Sequence, residues 1–263
     1  MFHSPHPAAA RPSVLPCVVA LPGTGSDADF ARRAFGSAAD ERGLRFRAVE
    51  PDPRDVVASY RAALDEAADN GPVLVAGISL GAAVAVEWAA ARSRRAVAGP
   101  EAIAGVVAAL PAWTGADTAG CPAALSAAYT AARLRADGLE AVIEQMRASS
   151  PDWLGAALAQ SWRAQWPWLP GALEEAAAYA WPDAEQLAAL NVPVSVIATT
   201  DDPVHPLAVG RRWAALIPGA TLDCLTLDEL GADPPVLGHL GFAALSRVLP
   251  PIRTPASEPA PVG

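Results

Sequence analysis

The sequence predicts an α/β protein, in which a mostly parallel, twisted sheet is covered by helices on both faces. Short apolar runs alternate with alanine-rich runs of helical character along most of the 263 residues, and this alternation is typical of βαβ units. The apolar runs are continuous and do not alternate with polar residues, which indicates strands buried on both sides. Hydrophobic residues make up 52% of the chain, which is enough for a sizeable core.

The first elements are a strand, a helix, a second strand and a second helix. Residues 13–23, "SVLPCVVALPG", form an apolar run that ends in Pro-Gly, as buried strands often do. We expect the following helix to begin with Ser26 as N-cap, because an acidic residue stands three positions later. Residues 44–51 alternate like a strand, and the next helix ends at the Asn-Gly pair 70–71.

The stretch 71–91, "GPVLVAGISLGAAVAVEWAAA", contains one charge in 21 residues and is long enough to be a membrane span. A span would need one continuous apolar helix. Here Gly77 and Gly81 interrupt the run, its first half is rich in valine, and its second half is rich in alanine. We therefore predict a strand over 72–78 and a helix after it, with Ser79 at the turn and no membrane span.

The second half of the chain adds three strands and a helical insertion. Residues 103–112, 192–200 and 221–227 are strand-like, and a helical run separates the last two. Between the first two of these runs, from about 111 to 190, the chain contains no strand-like run. The predicted division is a core of residues 1–112 and 183–250, a helical insertion of residues 113–182, and a disordered tail of residues 251–263.

The insertion is rich in tryptophan, an aromatic residue used both in cores and in pocket walls. These side chains either pack a small core of the insertion itself or line a substrate pocket. The pocket candidates are Trp113, Trp153, Trp162, Trp166 and Trp168.

Composition excludes some classes of partner. The net charge is −9 and no basic run occurs, which argues against an electrostatic nucleic-acid site. The three cysteines form no CxxC pair, so we expect free thiols in a reducing, cytoplasmic compartment. The first residues lack the basic region of a signal peptide. Nothing in the sequence indicates an oligomeric state.

The segment "GISLG" (77–81) matches G-x-S-x-G, a pattern that carries weight only where a strand runs into a helix. That context is predicted here. The two glycines allow strand and helix to approach closely. The hydroxyl of Ser79 would project at the carboxyl edge of the sheet, where open α/β sheets bind ligands. The amino terminus of the next helix would favour a developing negative charge there. Ser79 is therefore the candidate nucleophile.

A serine hydroxyl needs a base, and the base is usually oriented by an acid. We select His239, in "VLGHLGF", as the base, because the order nucleophile–acid–histidine calls for a late histidine. His205 is expected to line the mouth of the pocket. Asp202 is the preferred acid, since it follows a buried strand directly. Asp201 is its alternative, and Asp117 is a less favoured one.

An oxyanion produced by nucleophilic attack needs two backbone N–H donors. One donor is expected from Leu80, the residue after the nucleophile. The other should come from the loop "LPGTGSD" (21–27) after the first strand, and Thr24 is the preferred residue. A plain Gly-rich turn is the alternative interpretation of this loop.

With these residues the chain resembles the α/β-hydrolase family. The resemblance rests on "LPGTGSD" (21–27), "GISLG" (77–81), "NVPVSVIATTDDPVHP" (191–206) and "GHLGF" (238–242). It implies a triad of Ser79, Asp202 and His239. It also implies that the helical insertion is the family's cap. The family's loop usually begins His-Gly, where this chain has Pro-Gly. Its first two strands have no counterpart here, so about six strands are expected.

The resemblance implies two-step acyl transfer without a metal or an organic cofactor. A carboxylic ester with a small or medium apolar acyl or aromatic group is the first choice of small-molecule substrate. Thioester hydrolysis, carbon–carbon bond hydrolysis and cofactor-free perhydrolysis are alternatives that use the same triad. A non-catalytic protein that binds a small ligand is a further alternative. A serine nucleophile argues against the dehalogenase and epoxide hydrolase branches, which use aspartate.

Overall fold

A single six-stranded, all-parallel sheet forms the centre of the computed structural model, which describes residues 15–94, 103–249 and 251. The strand order is β2-β1-β3-β4-β5-β6. The predicted fold class and the expected number of strands are therefore confirmed. The strands are β1 (Cys17–Leu21), β2 (Arg45–Ala48), β3 (Val73–Ile78), β4 (Ile103–Ala109), β5 (Val194–Thr199) and β6 (Thr221–Leu225).

Helices cover both faces of this sheet. Helices α1 and α11 pack on one face, and α2, α3 and α9 pack on the other. The helices are α1 (Ala28–Glu41), α2 (Val56–Asp69), α3 (Leu80–Arg94), α4 (Pro122–Asp137), α5 (Leu139–Ala148), α6 (Asp152–Gln165), α7 (Leu169–Ala178), α8 (Ala184–Ala188), α9 (Leu207–Leu216), α10 (Leu227–Ala232) and α11 (Val236–Ala244).

The 71–91 stretch divides as the sequence predicts, into β3, Ser79 and α3. Every residue of β3 is buried. The first two turns of α3 are buried as well, because the helix lies between the sheet and its neighbours α2 and α8. Burial on all sides accounts for the apolar character of this stretch. Across the described residues, no helix has the length and apolarity needed to cross a membrane.

The start of α1 differs from the expectation. Its N-cap is Asp27, one residue after the predicted Ser26, and the Asp27 carboxylate accepts a hydrogen bond from the N–H of Phe30 at 3.0 Å. A charged cap next to the positive end of the helix dipole explains why aspartate takes this position. The second helix ends as predicted, with Asn70 as C-cap and Gly71 at a positive φ of 137°.

The segment between β4 and β5 is helical, as expected. Helices α4 to α7, which we call the cap helices, have an apolar cluster of their own. They also carry many of the residues around the cavity described below. The tail predicted over 251–263 lies, apart from residue 251, outside the described residues.

Candidate functional site

Ser79 occupies a strained turn between β3 and α3. Its φ of 53° lies in the left-handed region, which costs a non-glycine residue on the order of 1–3 kcal/mol. Its N–H donates to the carbonyl of Ala109 at 2.9 Å, which fixes the turn to β4. A Cβ at Gly77 would overlap the backbone of Gly81, and one at Gly81 would overlap the backbone of Leu21. The two glycines are thus required by close backbone approach.

His205 is the histidine that contacts Ser79. Its Nε2 lies 2.9 Å from the Ser79 Oγ, and its Nδ1 lies 2.6 Å from Oδ2 of Asp202. With the proton on Nδ1, the imidazole donates to the carboxylate, and Nε2 can accept the serine hydroxyl proton. The side chains of His205 and Asp202 are only 16% and 9% exposed, so water competes little with these contacts.

Asp202 is oriented to accept a hydrogen bond from the His205 imidazole. Its Oδ1 accepts a hydrogen bond from the N–H of Val204 at 2.7 Å, which leaves Oδ2 for His205. Burial by itself would raise the pKa of Asp202. The hydrogen bond and charge of His205, together with the N–H groups of Val204 and His205, outweigh burial, so the pKa lies below its usual range.

His239 is not at the site, and its selection as the base is corrected. It lies inside α11 and not in a loop before the last helix. Its Nε2 is 3.1 Å from Oε1 of Glu41, and its side chain is 41% exposed. Glu41 is the last residue of α1, and β2 begins four residues later, so Glu41 lies near the amino edge of the sheet. His239 therefore faces away from the carboxyl edge that carries Ser79.

The two other candidate acids accept hydrogen bonds from backbone N–H groups. Asp201 accepts a hydrogen bond from the N–H of Leu227 at 2.9 Å and so joins the loop after β5 to the start of α10. Asp117 accepts from the N–H of Ala119 at 3.1 Å. Neither carboxylate contacts a histidine, so the preference for Asp202 agrees with the geometry.

The loop after β1 lies against Ser79, as the oxyanion assignment requires. A Cβ at Gly23 would stand 3.5 Å from the Cβ of Ser79, and Thr24 lines the cavity next to it. Leu80 is the first residue of α3, so its N–H belongs to the unpaired first turn of that helix. The buried hydroxyl of Tyr60 donates to the carbonyl of Pro22 at 3.0 Å and fixes the loop from the side of α2.

A cavity of about 570 Å³ opens above Ser79, beneath the cap helices. This volume is in the range of pockets that hold small organic ligands. Apolar side chains form a large part of its wall, among them Phe30, Ile78, Val142, Met146, Leu154, Leu158 and Leu173. Polar side chains of α4 and of the end of α5 form another part: Ser126, Tyr129, Thr130, Arg133, Gln145 and Ser149.

Two of the five tryptophans proposed for the pocket line this cavity. Trp153 stacks on Phe30 with ring centroids 6.1 Å apart, and Trp162 packs beside Gly25. The other three are elsewhere. Trp113 packs against the larger core cluster and donates its indole N–H to the carbonyl of Asp117. Trp166 and Trp168 are exposed.

The sequence contained a signal for His205, although the expectation of a histidine late in the chain favoured His239. His205 follows Asp202 by three residues in "DDPVHP", directly after a buried strand, and Ser79–Asp202–His205 is also in the order nucleophile–acid–histidine. Pro203 lies between the two residues and Pro206 directly follows His205, and both prolines restrict the backbone of the loop. A short Asp-Pro-x-His segment at the carboxyl edge can bring acid and base into contact without a second loop.

Comparisons with known proteins agree with this architecture. A model of the "Alpha/beta hydrolase family" matches residues 6–246. An enol-lactonase from Burkholderia xenovorans LB400 superposes with a TM-score of 0.63 at 17% identity, over 86% of this chain and 91% of that one. An esterase from Exiguobacterium antarcticum gives a TM-score of 0.65 at 16% identity, over 89% and 91%. At such identities these structures show the fold alone. No curated protein sequence matches this chain.

Proposed function

Because the chain belongs to the alpha/beta hydrolase family, we propose that it is a serine hydrolase that cleaves a carboxylic ester through an acyl-enzyme, with Ser79, His205 and Asp202 as the catalytic residues. One observation carries this proposal. The Ser79 Oγ, the His205 imidazole and the Asp202 carboxylate form an unbroken chain of contacts of 2.9 and 2.6 Å. Nucleophile, base and orienting acid are recognised by this geometry and not by their positions in the sequence.

In the first step the Ser79 Oγ attacks the ester carbonyl carbon while the His205 Nε2 takes the hydroxyl proton. The imidazolium is stabilised by Asp202, whose lowered pKa keeps it ionised at neutral pH. The carbonyl oxygen becomes an oxyanion, and the N–H groups of Leu80 and Thr24 are the proposed donors to it. The partial positive charge at the start of α3 acts in the same direction.

Collapse of the tetrahedral intermediate breaks the bond to the leaving alcohol, which receives the proton from the His205 Nε2. Water then enters, gives a proton to His205 and attacks the acyl carbon. Release of the acid returns the hydroxyl to Ser79. The apolar residues that line the cavity support a small or medium apolar acyl group or an aromatic group as the part of the substrate that fills it.

Hydrolysis of p-nitrophenyl esters from acetate to dodecanoate, together with acyl-CoA thioesters of matched chain length, tests the proposal. We expect kcat/KM to be highest for a small or medium acyl ester. We expect Ser79→Ala to lower kcat by about 10⁴-fold or more, as removal of a serine nucleophile does elsewhere. Activity confined to thioesters would replace the ester assignment. Equal activity of wild type and Ser79→Ala would overturn the serine mechanism.

A further inference from the structure

The loop 22–26, which we call the oxyanion loop, is held from the cap side by buried side chains of α6. The hydroxyl of Ser161 donates to the carbonyl of Gly25 at 2.5 Å. The amide of Gln165 donates to the carbonyl of Ser26 at 2.8 Å. Ser161 and Gln165 are 1% and 4% exposed, and polar groups are buried this deeply only at a cost that their hydrogen bonds must offset.

These contacts bear on the direction of the Thr24 N–H. In a trans peptide the C=O and the N–H point in opposite directions. The carbonyl of Gly23 accepts from the N–H of Ser26 at 3.1 Å across the turn, so the N–H of Thr24, in the same peptide unit, points the other way. The two α6 hydrogen bonds hold the carbonyls of Gly25 and Ser26, at the end of the same turn. Loss of either would free the turn that orients the Thr24 donor.

The same helix forms a wall of the cavity. Five residues of α6 line it: Trp153, Leu154, Ala157, Leu158 and Trp162. Trp162 lies between the two hydrogen-bonding residues in sequence and contacts both the cavity and the loop, since a Cβ at Gly25 would stand 2.8 Å from its indole nitrogen. An acyl group that packs on α6 therefore contacts the same helix that holds the oxyanion loop.

We propose that Ser161 and Gln165 are positioning residues, which fix the oxyanion loop to α6. Through them, turnover depends on how well the acyl group packs against the α6 residues that line the cavity. The inference rests on the proposed function, because it requires an oxyanion to form beside Thr24. Neither residue touches the reacting atoms. They act on the transition state through the loop, so their loss lowers kcat and leaves KM nearly unchanged.

The test uses Ser161→Ala and Gln165→Met, which remove a donor from the loop with little change in size. Arg163→Gln is the matched control on the same helix, because Arg163 pairs with Glu140 at the surface and does not contact the loop. Ser161→Thr keeps the hydroxyl and should restore activity. We expect kcat for the best ester to fall about tenfold to hundredfold in each donor variant, because small misplacements at a reacting centre cost this much. We expect KM to change less than about threefold.

Two further readouts separate positioning from a structural role. Affinity for an aryl boronic acid, which forms a tetrahedral adduct with the serine, should fall in parallel with kcat/KM. We also expect kcat to increase with acyl length up to the best ester in the wild type, and to increase less in the donor variants. A lower melting temperature with kcat equal to that of Arg163→Gln would overturn the inference. If Ser79→Ala keeps full activity, the proposed function fails. If Ser79→Ala is inactive and the donor variants match the control, only this inference fails.

Discussion

Ser79, the proposed nucleophile, is also a residue with a strained backbone. Its left-handed φ of 53° is held because β3, α3 and the loop after β1 all approach it closely, with glycine at the two points of contact. Strain of this kind persists only where the surroundings over-determine the backbone, and it lifts the hydroxyl out of the turn toward the imidazole. The close backbone contacts around Ser79 thus fix its conformation as firmly as side-chain contacts would.

Replacing Gly81 by alanine should damage both stability and turnover, because the added methyl group would overlap the backbone of Leu21 and Pro22. We expect a loss of about 3 kcal/mol in the free energy of unfolding, the upper range for overpacking. Gly171→Ala, in α7 with open space around it, is the control and should stabilise by about 0.5–1 kcal/mol. Denaturant unfolding of both variants measures this, and equal effects would refute the close approach.

Asp202 makes stability depend on pH in a defined direction. Its folded pKa lies below the ordinary value of 3.8, so its ionised form stabilises the fold above that value, and this stabilisation is lost as pH falls through the lower, folded pKa. We expect the free energy of unfolding of wild type to fall more steeply on acidification than that of Asp202→Asn. Denaturant titrations from pH 3 to 7 measure the two curves, and parallel curves would contradict the assignment.

At the scale of the elements, the sequence predicted the strands and the helix between β5 and β6 because continuous apolar runs and alanine-rich runs differ clearly. The start of α1 differs from the prediction by one residue. Asp27 replaces Ser26 as the cap of α1 since either side chain can cap a helix, and only the packed structure selects one. His239 was expected in a loop, but "VLGHLGF" is apolar enough to form the buried face of α11, and the histidine lies on the exposed side.

The cap helices and the sheet domain are linked by Glu175 of α7, whose carboxylate accepts from the N–H groups of Val56 and Val57 at 2.8 and 2.9 Å. These are the first N–H groups of α2, where a negative charge is most favourable. We expect Glu175→Ala to lower the free energy of unfolding by about 1–3 kcal/mol.

The neighbouring Glu174 supplies a matched control for this prediction. It pairs with Arg135 at the surface, within the cap helices, and exposed ion pairs of this kind contribute little. Thermal unfolding of Glu174→Ala should therefore differ from wild type much less than that of Glu175→Ala. A reversed order of the two melting temperatures would show that α7 does not cap α2.

At the scale of the whole molecule, the cavity arises only when cap helices and sheet come together, so its lining could not be derived from the sequence. Five tryptophans of similar local context were candidates, and two line the cavity. Trp153 and Trp162 belong to α6, which faces the serine, whereas Trp166 and Trp168 come after its end and turn outward. The difference lies in helix packing, which single-sequence patterns do not contain.

We expect the substrate range to depend on the tryptophans that line the cavity and not on the exposed ones. Trp153→Ala would enlarge the cavity next to Phe30, and we expect kcat/KM to shift toward longer or branched acyl esters by about tenfold relative to acetate, the order of a small change in pocket size. Trp168→Ala alters an exposed side chain and should leave the acyl preference unchanged. A chain-length series of p-nitrophenyl esters measures both. An equal shift in the two variants would contradict the assignment of the cavity wall.

The central claim is that His205, and not His239, activates Ser79. Fluorophosphonate labelling, followed by intact mass and peptide mapping, tests it directly in His205→Ala and His239→Ala. Wild type and His239→Ala should each gain one adduct, at Ser79, at similar rates. His205→Ala should react about 10³-fold more slowly, the usual contribution of a general base. Labelling of His205→Ala at the wild-type rate, or loss of labelling in His239→Ala, would contradict the account.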